Sequence, residues 1–234
     1  MSQALWLNYF TSATLLKLCN VRSFLCNELE PFAYLIYVLA VLLQLKQSKL
    51  FRYKGLSVYY TACAVILYIG IVFSDNNSWT YNIIFFVNIL VSSWYYLNLF
   101  NTKTKRTITV VLGTLNAGVF IFINVVRHKY NDYNAEVYGL SFITIVLYSF
   151  LYLHQLLVNM KEESLLRNFD FWLVCGYLFY FLGSFIIVLY YNHSNDYFGR
   201  GDMWLMHNVI LFICSAFTLL VSVQISKKNN LRHV

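Results

Sequence analysis

Residues 168–191 read NFDFWLVCGYLFYFLGSFIIVLYY, and Asp170 is the last charged residue before Asp196. About 20 apolar residues, rising 1.5 Å each, cross a hydrocarbon core of about 30 Å. A large soluble core can hide one such helix, but this chain repeats the pattern. Apolar runs of similar length cover residues 31–45, 55–73, 79–100, 107–126, 135–159 and 203–225. Together with 169–191 they make seven candidate spans. The first helix is expected to begin near Asn27, with Pro31 in its first turn, where a missing N–H costs nothing. The runs are continuously apolar and lack the alternation of a membrane barrel, so the expected fold is an all-α polytopic bundle.

Composition agrees. The chain is 59% hydrophobic and 12% charged, with mean hydropathy +0.58. Soluble domains carry about 25% charged residues, so too little polar surface is left to keep a globule in water. The net charge of +7 raises nucleic acid as a partner, but the basic residues lie between the apolar runs. They form no basic face or stripe, and no nucleic-acid partner is expected. The lipid bilayer is the expected partner of most of the surface.

The same basic residues orient the chain. Lys46, Lys49, Arg52, Lys54, Lys103, Lys105, Arg106, Lys161, Arg167 and the three in the tail make 12 on one side. Lys17, Arg22, Arg127, Lys129 and Arg200 make 5 on the other. The positive-inside rule puts the richer side in the cytoplasm. The expectation is a multi-pass membrane protein, amino terminus outside and carboxyl terminus cytoplasmic. Three regions follow: an extracytoplasmic or interfacial segment at 1–29, the seven-helix bundle at 30–226, and a basic cytoplasmic tail at 227–234. Residues 4–16 are apolar but short, with Lys17 and Arg22 after them rather than before. They suit an interfacial helix, with an extra short span as the alternative.

All ten acids are assignable to loops or helix ends, and no Lys or Arg sits at a span centre. Proton pumps and ion-coupled carriers generally need an ionisable group inside the bilayer. The seventh run also lacks the lysine of a retinal protein. No HExxH, GxSxG, P-loop or CxxC motif is present. No nucleophile is placed with a base, so no catalytic residue, metal or cofactor is expected.

The polar residues within the spans fall into layers. Asn82, Asn124, His207 and Asn208 lie towards the outer surface, flanked by Asp202 and His128. Asn98, His154 and Gln155 lie towards the inner one, with Asn88, Asn116 and Thr218 deeper. The plain account of such residues is interhelical hydrogen bonding, at about 0.6 kcal/mol each. The functional account is a ligand pocket in the outer layer centred on His207, lined by Asn208, Asn82, Asn124 and Tyr180. Gly176 and Gly183 share one face of the sixth span with Tyr180, so another helix can approach there, and the Tyr180 hydroxyl needs a partner inside the bundle. Asn168 and Asp170 suit a helix cap and a dipole-compensating acid. Cys19 and Cys26 lie outside on this topology, as a disulfide or as two free thiols.

Three segments carry a resemblance. They are TYNIIFFVNIL at 80–90, LLRNFDFWLVCGYLFYFLGSF at 165–185 and MWLMHNVILF at 203–212. They resemble a family of uncharacterised bacterial inner-membrane proteins with seven predicted helices, similar to the membrane sensor regions that accompany two-component histidine kinases. The first 30 residues depart from that pattern. The resemblance implies signal transduction through a separate histidine kinase or another membrane protein. The expected function is a non-enzymatic membrane sensor or signalling partner, binding a small or lipidic ligand in the outer polar layer. A membrane-lipid enzyme, a carrier or channel, and a ligand-free scaffold subunit are the alternatives.

Overall fold

The computed structural model describes residues 28–48, 51–73, 78–127, 134–159, 165–191 and 197–230. These fold into helices α1 (Leu29–Ser48), α2 (Phe51–Phe73), α3 (Ser78–Leu99), α4 (Lys103–Ile121), α5 (Ala135–Asn159), α6 (Phe169–Tyr191) and α7 (Tyr197–Asn230). A π-helical turn, Phe122–Val126, extends α4. There is no strand among the described residues. All seven helices are long and apolar enough to cross a membrane, as lipid requires of any spanning segment. They mark a multi-pass membrane protein. The segments carrying Cys19, Cys26, His128 and His193 lie outside the described residues.

Helix α1 packs against α2 and α7, and α7 against α6, which packs on α5. Helix α3 meets α2 and α5, closing a ring of six, and α4 lies against α3 and α5. Only 28% of the α4 span is buried, against 56% of α5, which makes α4 peripheral. Ile108, Val111, Leu115, Ile121 and Val125 of α4, with Val58, Val65 and Val72 of α2 and Phe179, Leu182 and Ile186 of α6, are exposed. In water such a surface would aggregate; in a bilayer it is the side that meets lipid.

Small residues set the close crossings. A Cβ at Gly176 would meet Thr218 Oγ1 of α7 at 3.1 Å, and one at Gly183 would meet Ile210 at 3.4 Å. Both glycines therefore face α7, as their spacing predicts. Polar staples join other pairs. Gln44 Nε2 donates to Ser222 O at 3.1 Å and Oγ at 2.9 Å, and Ser222 Oγ donates to Ala40 O at 2.8 Å, so Ser222 serves the α1–α7 contact. Asn116 Nδ2 donates to Thr144 Oγ1 at 2.9 Å, and Ser141 Oγ donates to Asn116 Oδ1 at 3.2 Å, which ties α4 to α5.

The helices are not flush. Helices α1 and α7 start at the same end of the bundle, and Phe32 stacks on Phe212 with ring centroids 6.3 Å apart. The backbone of Glu30 therefore lies near the level of Ile210. Asp202, exposed, is eight residues nearer the start of α7, about 12 Å at 1.5 Å per residue. A residue in the first turn of α1 is thus well below the tip of α7.

Candidate functional site

Each end of the bundle holds a buried carboxylate, Glu30 or Asp170, both 3% exposed. From the sequence both are expected at water-facing helix ends. The structure puts them inside.

At the Asp170 end, the cap is as expected: the Asp170 N–H donates to Asn168 Oδ1 at 2.9 Å. The carboxylate does more than offset a helix dipole. Arg52 Nη2 donates to Asp170 Oδ2 in an ion pair. Tyr95 Oη and Tyr53 Oη donate to Oδ1 at 2.8 and 3.2 Å. Helix α2 begins at Phe51, four residues ahead of its apolar run, and this early start carries Arg52 against α6. Above the pair, Tyr177 of α6 hydrogen-bonds Tyr60 of α2 through their hydroxyls. Tyr37 of α1 stacks on Tyr60 at 4.9 Å, and Tyr95 of α3 lies edge-on to Tyr177 at 6.3 Å. Buried tyrosines thus link α1, α2, α3 and α6 through the middle of the bundle.

At the Glu30 end, Tyr81 Oη of α3 donates to Glu30 Oε2 at 3.1 Å. The Tyr81 ring meets Trp204 of α7 edge-on at 4.8 Å, and Trp204 stacks on His207 at 4.9 Å. His207 Nε2 and Tyr180 Oη are 3.2 Å apart. Phe142 of α5 lies parallel to the imidazole at 6.5 Å. Tyr34, one turn below Glu30, is buried and within electrostatic reach of Tyr180, Glu30 and Tyr81. His207 is 1% exposed, and its Nδ1 has no hydrogen-bond partner among the described residues. Buried polar atoms are almost always paired, and His207 Nδ1 is one of the exceptions among the described residues.

Of the five residues expected to form the site, the structure joins Tyr180 and His207 directly. Asn82 accepts from Tyr138 Oη, whose ring stacks on Phe85 at 4.0 Å. Phe85 in turn contacts Phe142 at 5.5 Å, so a chain of rings links Asn82 to His207. Asn124 is turned elsewhere: its Oδ1 accepts from Asn134 Nδ2 at 3.2 Å, and its Nδ2 donates to Phe120 O at 3.0 Å. It stabilises the π-helical turn against the start of α5. Asn208 is fully buried. In the other polar layer, His154 and Asn98 are exposed, and Gln155 ends α3 by donating to Leu99 O at 3.0 Å and accepting from Asn101 N at 3.1 Å.

Spacing within spans misses Glu30, Tyr81, Trp204 and Arg52. A signal for Glu30 is present in the sequence, because a helix that starts near Asn27 already contains it. Among the described residues no group of three or more His, Cys, Asp or Glu is arranged to hold a metal. No protein-family model, no curated protein and no solved structure matches the chain.

Proposed function

We propose that this protein is a non-enzymatic integral membrane sensor that binds a small or lipidic ligand among Glu30, Tyr81, Tyr180, Trp204 and His207. The observation that carries the proposal is His207 Nδ1, buried and without a partner among the described residues. The cluster joins α1, α3, α6 and α7, so an occupant touching it touches the α6–α7 contact. Occupancy shifts the packing only by as much as the ligand favours one arrangement over the other. Gly176 and Gly183 bring α7 close against α6, so a change in the packing of one helix is passed to the other. The excess of Lys and Arg after α1, α3, α5 and α7 supports an inner-membrane orientation with the Glu30 end outside. The resemblance supports a separate histidine kinase or another membrane protein as the recipient of the shift.

The test is thermal unfolding of the purified chain in lipid nanodiscs against small-molecule and lipid fractions. A ligand at about 100 times its Kd contributes about 2.7 kcal/mol, a rise of roughly 5–10 °C for a chain of this size. His207→Ala and Tyr180→Phe should each remove most of the rise. Stabilisation that survives both substitutions, or none from any fraction, refutes the proposal.

A second reading has its own observation. Buried carboxylates at both ends, Glu30 and Asp170, supply the intramembrane ionisable groups that the sequence lacks on paper, and such groups mark ion pathways. Proton flux into liposomes that stops in Asp170→Asn would favour a proton-coupled carrier over a sensor.

A further inference from the structure

We propose that the Glu30 cluster is a site for a primary ammonium group, the head of a small amine or of an amine-bearing lipid. This rests on the ligand-site reading above and names the chemistry of its occupant. Among the described residues, no cation pairs with Glu30, which receives only the Tyr81 hydroxyl. Asp170, equally buried at the other end, has Arg52 and two tyrosines. A carboxylate out of water needs a counter-charge or a proton, and one of the two lacks the partner the other has.

The surroundings favour a cation over a second protein charge. The rings of Tyr81, Trp204, Tyr180 and Tyr34 gather on this end, and aromatic faces attract ammonium groups. When the His207 Nε2–H donates to Tyr180 Oη, Nδ1 keeps a bare lone pair with no donor aimed at it. A primary ammonium carries three N–H donors. Glu30 and the Tyr81 oxygen beside it are acceptors, and His207 Nδ1 is a further one reached through the Tyr81 and Trp204 rings. A quaternary ammonium would satisfy the rings and leave both acceptors unused. A divalent metal would want more oxygen and nitrogen ligands than are gathered here.

The experiment uses the whole chain in phosphatidylcholine nanodiscs, with thermal unfolding followed by tryptophan fluorescence. One arm titrates propylammonium chloride against sodium chloride and propanol at matched concentration. The other replaces a third of the lipid with phosphatidylethanolamine. A saturable rise in Tm of several degrees is expected in at least one arm, and which arm responds tells a soluble amine from a lipid headgroup. Glu30→Gln keeps the shape and the Tyr81 bond, and should abolish the rise while leaving the unliganded Tm unchanged or higher. Trp204→Leu should weaken apparent affinity about tenfold, and serves if Glu30→Gln fails to fold. A rise matched by sodium chloride or propanol, a rise that survives Glu30→Gln, or no rise in either arm overturns the amine assignment. If neutral compounds stabilise through His207 when amines do not, the ligand site stands and only the amine falls.

Discussion

The Arg52–Asp170 pair should respond asymmetrically to the loss of each partner. The Asp170 side chain is 4% exposed and that of Arg52 is 24% exposed. Arg52→Gln strands a carboxylate that cannot reach water, and stranding a buried charge costs about 3–5 kcal/mol. The Tyr53 and Tyr95 hydroxyls still donate to Asp170, which holds the cost near the lower figure. Asp170→Asn leaves the opposite orphan, a guanidinium on a long stem near the bundle end, which can turn to the interface. Asparagine Oδ1 still accepts from both tyrosines, so about 1–2 kcal/mol is lost. The double variant replaces an ion pair by two amides and should cost about 2 kcal/mol, which makes the coupling about 2–3 kcal/mol. At about 2–4 °C per kcal/mol, Arg52→Gln lowers Tm by roughly 6–12 °C and Asp170→Asn by roughly one to two thirds of that. Thermal unfolding in detergent, with a denaturant titration for the free energies, reads both. Asp170→Asn costing as much as Arg52→Gln, or a strictly additive double variant, would refute the burial difference and the pairing.

Gly176→Leu drives a side chain into Thr218 and Cys214 of α7 and should cost about 2 kcal/mol or more. Gly183→Ala meets Ile210 at ordinary contact distance, so its better helix propensity should leave stability equal or raised by up to about 1 kcal/mol; equal losses at the two sites would contradict the α6–α7 register. Gln44→Leu removes both bonds to Ser222 and should lower stability by about 1 kcal/mol in a denaturant titration, in the range of membrane hydrogen bonds. A cytoplasmic reporter fused after residue 230 should be active and one inserted at residues 192–196 silent; the reverse pattern would invert the orientation taken from Lys and Arg.

Much of the helix layout is legible because lipid leaves a spanning chain almost no choice. Bare apolar runs give α5 and α6 to the residue, and α3 and α4 to within a few. The ends that move are those bordered by charge. Helix α2 starts at Phe51 rather than Gly55, and α7 at Tyr197 rather than Met203. Hydropathy penalises Arg52, although its long side chain folds back to a carboxylate expected at the water-facing start of the sixth span. Neither charge is tolerable inside alone, and the pair is, so a residue-by-residue scale fails at just those positions. The partner of Tyr180 is foreseeable as a need and not as an identity. Nothing in the local pattern says that α7 rather than α5 presents the acceptor.

Depth is the quantity that sequence spacing gives least well, and the candidate site depends on it. Counting residues from a span end equates position in a helix with distance from water. That holds only when all helices begin at one plane. Here α7 begins 13 residues, about 20 Å, above the level of Glu30 set by Phe32 and Phe212, so a glutamate in the first turn of α1 is enclosed by the middle turns of α7 and by α3. The same stagger puts His207 ten residues, about 15 Å, along α7, next to the midpoint of α6 at Tyr180 rather than at a surface. The two errors have one cause and opposite consequences. An acid expected in water is buried, and a histidine expected at the rim is deep, which is how they come to share a cluster. A variant that shortens the start of α7 by one turn should therefore hydrate Glu30 and remove ligand stabilisation while leaving the Arg52–Asp170 end intact. Unchanged ligand stabilisation in that variant would show that the overhang of α7 does not enclose the site.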